Sequence, residues 1–148
     1  MKIELKKLND VLTLVYQNIK IEEEGFLKKK HINLTLSEIH TLDTISNARD
    51  KSITGLAHKL KITPGTFSIC VDKLIKKGYI KRVNDDLDKR KVLIDITSKS
   101  LPVLESHLAF HETILSYSLK SLDIDINKLT KSLEEINNYL EEMGDKNE

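Results

Sequence analysis

A mainly α-helical chain with a single two-stranded β-hairpin is the fold class this sequence predicts. Three observations carry the prediction. Apolar residues recur at alternating spacings of three and four near both ends of the chain. Helix-capping residues punctuate the stretch between Thr35 and Gly78. Two short runs rich in Val and Ile flank a polar, turn-forming loop at residues 84–90. These patterns mark amphipathic helices, short capped helices and a hairpin respectively.

The first helix is expected from about Glu4 to Leu27. Leu5, Leu8, Leu12, Val15 and Ile19 fall on one of its faces, and Lys28-Lys29-Lys30 places cations at the negative end of its dipole. Thr35-Leu36-Ser37-Glu38 has the form of a capping box, so a second helix should start there and run to about Ser46, with Ile39, Leu42 and Ile45 inward. A short third helix fits residues 54–60, burying Leu56, Ala57 and Leu60. Thr63 then suits an N-cap and Pro64 a first helical residue, since the amide proline lacks would have been unpaired there. This fourth helix should reach about Lys77 and stop at Gly78. Its inner face is Phe67, Cys70 or Val71, and Leu74. Strands are expected at Tyr79–Val83 and Val92–Ile96. Thr97 is expected to cap a long fifth helix carrying Leu101, Leu104, Leu108, Leu115, Leu119 and Leu122, with Pro102 bending or delaying its start. A sixth helix from about Asp125 to Met143 presents Ile126, Leu129, Leu133, Ile136, Leu140 and Met143, the seam of a helix that packs along another helix. Disorder is expected only after Met143.

At 148 residues the chain has room for one domain with a real core. No apolar run is long enough to span a membrane, and the charged start, Met1-Lys2-Ile3-Glu4, lacks a signal-peptide core. A cytoplasmic protein is expected. Cys70 is the only cysteine, so an internal disulfide is excluded; its place on the inner helix face reads as a small core residue. The net charge of +1 hides an asymmetry. Residues 61–91 hold nine basic and four acidic side chains, whereas residues 123–148 hold eight acidic and three basic ones. The middle of the chain is suited to a polyanion.

Three helices, the second and third joined by a tight turn and followed by a basic hairpin, compose a winged helix-turn-helix. A helix enters the major groove of B-DNA and presents side chains to base edges. A hairpin beside it reaches the adjacent minor groove, whose negative potential favours an arginine. Thr63, Thr66, Ser68 and Lys73 on the fourth helix are the candidates for phosphate or base contacts. Asp88, Lys89 and Arg90 are the candidates on the wing.

The run from Ile53 to Thr97 resembles the MarR family of bacterial transcriptional regulators. The likeness rests on Leu56-Ala57-His58-Lys59-Leu60, Thr63-Pro64-Gly65-Thr66 and Val71-Asp72-Lys73-Leu74, then Lys76-Lys77-Gly78-Tyr79-Ile80. The most specific piece is Asp86-Leu87-Asp88-Lys89-Arg90 followed by Ile94-Asp95-Ile96-Thr97. The resemblance implies a single MarR-type domain over residues 1–148. Its winged-helix lobe would cover about 32–98, with dimerisation helices at about 4–27 and 99–143. It also implies that Arg90 enters the minor groove and Asp88 orients it, and that a homodimer binds a pseudo-palindromic operator in double-stranded DNA. Half-sites would lie about 34 Å apart.

Glu22-Glu23, Glu38-Ile39-His40-Thr41-Leu42 and His107-Leu108-Ala109-Phe110-His111 are similar to the branch of the family that represses fatty-acid synthesis genes. That likeness implies a long-chain acyl group on acyl carrier protein as co-repressor, with His107, Phe110 and His111 at the effector site. Lys28 to Lys30 would be either a solvated helix end or a contact for DNA or the acidic carrier. Two alternatives stand beside this reading. One is a MarR-type repressor released from DNA by a small aromatic ligand. The other is a helical interaction protein whose basic hairpin binds an acidic protein.

His107 and His111 are spaced for one face of a helix, but two imidazoles are too few for a closed metal site. His31, His40 and His58 would add to them only if the fold brought them close, so no metal and no cofactor are expected. No glycine-rich phosphate loop and no nucleophile with an identifiable base is present, and an enzyme is not expected.

Overall fold

The computed structural model describes residues 2–145, in the order α1 (Lys2–Lys29), α2 (Leu36–Asn47), α3 (Ile53–Lys59), α4 (Pro64–Lys76), β1 (Ile80–Asn84), β2 (Val92–Ile96), α5 (Leu101–Leu119) and α6 (Ile126–Asp145). It forms two compact units, divided after Phe110 within α5. Six helices and one antiparallel hairpin match the expected class. Residues 146–148, part of the expected loose end, lie outside the described residues; Gly144 and Asp145 continue α6.

The first unit is built on one core. Ile39, Leu42 and Ile45 of α2, Leu56 of α3, Phe67, Val71 and Leu74 of α4, and Ile94 of β2 are all fully buried. Spacings of three within α2, and of four then three within α4, face them to one another. Phe67→Ala would cost about 3–5 kcal/mol, the range for emptying a packed aromatic site.

Local chemistry sets the helix ends. Thr35 and Glu38 form the expected capping box: the Thr35 amide donates to Glu38 Oε2 at 2.8 Å and the Glu38 amide to Thr35 Oγ1 at 3.2 Å. Ser52 caps α3 through the Gly55 amide, and Thr63 caps α4 through the Thr66 amide, with Pro64 opening the helix. α4 ends at Gly78, which has a φ of 79°. The Gly78 amide donates to Ile75 O and the Tyr79 amide to Leu74 O, closing the last turn in the Schellman manner.

The start of α5 differs from expectation. Thr97 does not cap it. The Thr97 hydroxyl donates to Gly78 O at 2.7 Å, and its amide donates to Tyr79 O at 2.9 Å. The helix begins at Leu101, with Pro102 in its first turn where a missing amide is harmless. Ser100 O accepts the first helical bond, from the Leu104 amide, while the Ser100 hydroxyl donates to Tyr79 O at 2.5 Å. The hydroxyls at 97 and 100 satisfy the wing base in place of the helix.

In the second unit, α6 carries a continuous apolar face. Ile126, Leu129, Leu133, Ile136, Leu140 and Met143 are all exposed. In the first unit, Leu5, Leu8, Leu12 and Val15 of α1 are exposed as well. No helix among the described residues is long and apolar enough to cross a membrane.

Candidate nucleic-acid interface

α4 lays three apolar residues on the core and leaves a stripe of Gly65, Thr66, Ile69, Asp72, Lys73 and Lys76 exposed. Among the sequence-stated candidates, Thr66 and Lys73 lie on that stripe. Thr63 sits at the N-cap, its hydroxyl 2.9 Å from that of Thr66. Ser68 stands apart: it is half-buried, and its hydroxyl donates to Pro64 O at 2.9 Å, one turn back in its own helix.

The wing is a five-residue ladder pairing Ile80 with Ile96 through to Asn84 with Val92. Two ion pairs hold it. Arg82 reaches Asp72 of α4 at 2.9 Å, and Lys51, in the loop before α3, reaches Asp95 of β2 at 2.5 Å. Burial works to raise the Asp95 carboxyl, but the Lys51 hydrogen bond, the Ile96 amide and nearby lysine charge outweigh it and hold it below its ordinary value. At the wing turn, Asp88 Oδ1 accepts from both the Arg90 amide (3.1 Å) and Arg90 Nε (3.2 Å). The Arg90 side chain is 91% exposed, so the aspartate aims a guanidinium that still projects into solvent. Lys89 is exposed beside it. The arrangement presents a helix stripe and an aimed arginine.

α4 is also anchored at its far end. Lys77 Nζ donates to both oxygens of Glu38 on α2, at 2.9 and 2.8 Å. Burial tends to raise the Glu38 carboxyl, yet the Lys77 hydrogen bond and charge and the Thr35 amide together hold it below its ordinary value. Cys70 is half-buried, with its sulfur 4.0 Å from the Thr41 hydroxyl, and burial pushes its thiol up.

Behind this lobe, the fold gathers a group that spacing does not reveal. Glu23 of α1 is buried, and its Oε1 lies 3.0 Å from His40 Nε2 of α2 and 3.1 Å from His107 Nε2 of α5. The two imidazole rings are 5.5 Å apart. His107 is buried, whereas the His40 side chain is half exposed and borders a groove also lined by Tyr16, Thr35, Ser37 and Leu60. Phe110 stacks on Phe26 with ring centroids 4.7 Å apart, walling off one side. His111 follows His107 by one turn of α5. The three donors Glu23, His40 and His107 lie within 4.8 Å of one another. They come from points 17 and 67 residues apart, so no local motif joins them, and only the packing of three helices brings Glu23 and His40 to the histidine that the sequence singles out.

Comparison with known proteins agrees with this geometry. The MarR family model matches residues 34–92. The transcriptional regulator ZitR of Lactococcus lactis is 32% identical over 93 residues, which span 60% of this chain and 60% of that protein. The regulator SarZ of Staphylococcus haemolyticus is 26% identical over 122 residues, 81% of this chain and 78% of that one. Both relatives are transcriptional regulators and not enzymes. The crystal structure of Streptococcus pneumoniae FabT in complex with DNA superposes with a TM-score of 0.83 at 27% identity, covering 94% of this chain and 99% of that one. A capped helix stripe, an aspartate-aimed arginine on a β-wing and these likenesses lead to one conclusion: residues 34–92 match the MarR family, and the chain has the winged helix-turn-helix build of DNA-binding transcriptional regulators of that kind.

Proposed function

We propose that the protein is a cytoplasmic homodimeric repressor whose grip on a pseudo-palindromic operator is set by a divalent metal ion held by Glu23, His40 and His107. One observation carries the metal reading: a buried carboxylate oxygen shared by two imidazole nitrogens from different helices, at 3.0 and 3.1 Å. Ligands about 2.0–2.1 Å from a tetrahedral zinc ion stand about 3.3 Å from one another. The spacing of these donors is therefore close to that of a coordination shell, and small shifts admit the ion. Nitrogen and carboxylate donors suit zinc. The half-exposed edge of His40 supplies a route in from the groove.

Such an ion would fasten α1, α2 and α5 together. His40 is next to Thr41, which contacts Cys70 of α4, so the position of α2 bears on the recognition helix. DNA affinity then responds through the difference in metal affinity between the DNA-competent and incompetent arrangements. On the DNA side, Thr63, Thr66 and Lys73 approach the major groove with Ser68 at its edge, while Asp88, Lys89 and Arg90 serve the minor groove. The exposed apolar faces of α1 and α6 are each too continuous for a free surface and are assigned to a second copy of the chain.

A second reading takes support from the likeness to FabT: a repressor of fatty-acid synthesis genes, with acyl carrier protein bearing a long chain as co-repressor and Phe110 beside the acyl group. One experiment separates the two. Operator binding by purified protein is measured with chelator, with added zinc, and with long-chain acylated or unacylated carrier protein. A zinc effect of tenfold or more that vanishes in Glu23→Gln and His40→Ala supports the metal reading. A response to the acylated carrier alone supports the second. A response to neither rejects both and directs the search to small aromatic ligands.

A further inference from the structure

Ile69 is the one large apolar side chain on the exposed face of α4, and it is 61% exposed. A lone exposed apolar residue is ordinary on a protein surface. This one stands at the centre of the stripe: Gly65 and Lys73 are one turn to either side, Thr66 and Asp72 flank it, and Lys76 lies two turns on. A second observation sits beside it. Gly65 occupies the first turn of the helix, and glycine is a weaker helix former than alanine. Nothing in the fold requires it. A Cβ built there meets only Thr63 Oγ1, at 4.0 Å, and the backbone carries no left-handed φ. The missing side chain and the isoleucine together form a smooth apolar shelf on a helix face otherwise made of hydroxyls and charges.

We propose that the Gly65–Ile69 shelf reads the 5-methyl group of thymine in the major groove, with Gly65 letting the helix approach closely enough for contact. The inference rests on the DNA-binding reading of α4. Isoleucine has no donor or acceptor, and among the groups displayed in the major groove the thymine methyl is the apolar one. Asp72 is held by Arg82, so the shelf is flanked on that side by a neutralised pair and not by a free carboxylate facing the base edges.

The test starts from duplexes enriched by full-length protein out of a random pool, in parallel with zinc and with chelator. Each thymine of the enriched half-site is then replaced singly by deoxyuridine, which removes only the methyl group. The wild type should lose about fourfold in affinity at one or two thymines, the value of one buried methyl-sized group. Ile69→Ala should bind the thymine and uracil duplexes equally. Gly65→Ala, which has room in the free protein, should weaken binding to both duplexes while leaving thermal stability unchanged or raised. Wild-type indifference to deoxyuridine at every position overturns the inference, as does undiminished methyl sensitivity in Ile69→Ala. Failure to enrich any duplex overturns the DNA-binding reading itself, and is distinguishable because no half-site then exists to substitute.

Discussion

Replacing Glu38 by Gln removes one negative charge from the contact that ties the C-terminal end of α4 to α2. The residue is 8% exposed and the Lys77 side chain 29% exposed, so the pair lies between a surface ion pair, worth about 0–1 kcal/mol, and a buried one, whose breakage costs about 3–5 kcal/mol. A loss of about 2 kcal/mol is expected. Glutamine still offers an oxygen to the Thr35 amide but turns either that oxygen or a second donor toward the ammonium. Glu38→Ala also forfeits the cap bond, about 1 kcal/mol more. In urea at neutral pH, a slope of about 1–3 kcal/mol per molar makes the glutamine change a midpoint shift of about 1 M. The pH dependence supplies an independent check. A carboxyl held low in the folded state contributes fully above its ordinary value of 4.5, and that contribution is lost as pH falls through the lowered value. The gap between wild type and Glu38→Gln should therefore be constant near neutrality and close in acid. Equal midpoints at pH 7, or a gap that survives unchanged well below pH 4.5, would refute the reasoning.

Other perturbations test the remaining claims. Arg90→Ala should weaken operator binding by about 1–3 kcal/mol and Asp88→Ala by less, because the guanidinium remains but loses its aim; unchanged binding by Arg90→Ala at moderate salt takes the wing out of the mechanism. Gly78→Ala should destabilise by about 1–2 kcal/mol, since its φ of 79° is costly for any residue with a Cβ; a neutral result in denaturant titration contradicts the strain argument. Zinc should raise the melting temperature of the wild type, and much less that of His107→Ala, in differential scanning calorimetry. Removing the residues after Asp123 should give aggregated or unfolded protein, and a soluble monomer that still binds DNA speaks against the dimer.

Much of this was legible in the chain. Capping signals are local, so Thr35, Glu38, Thr63, Pro64 and Gly78 announce helix ends without tertiary information, and the three-four spacing of α6 announces its seam. The start of α5 was not legible. Thr97 has the chemistry of a cap, but the carbonyls of Gly78 and Tyr79 compete for its hydroxyl and win. At the candidate interface, residue type identifies Arg90 and Asp88, whereas the inward bond of Ser68 depends on which side of α4 meets the core. The Glu23, His40 and His107 group is the plainest case. Periodicity describes one helix at a time, and this group exists only where three helices meet.

Tyr79 O accepts from the Thr97 amide, the Thr97 hydroxyl and the Ser100 hydroxyl, so one carbonyl pins the root of the wing to the segment that leads into α5. The root works as a pivot. At about 3.3 Å per residue, the strand carries the wing turn about 17 Å from it. A rotation of about 10° there sweeps the Arg90 end through about 3 Å, as much as a whole hydrogen-bond length. A displacement too small to notice at the pivot is therefore large at the tip, and the two hydroxyls set how much play the lever has.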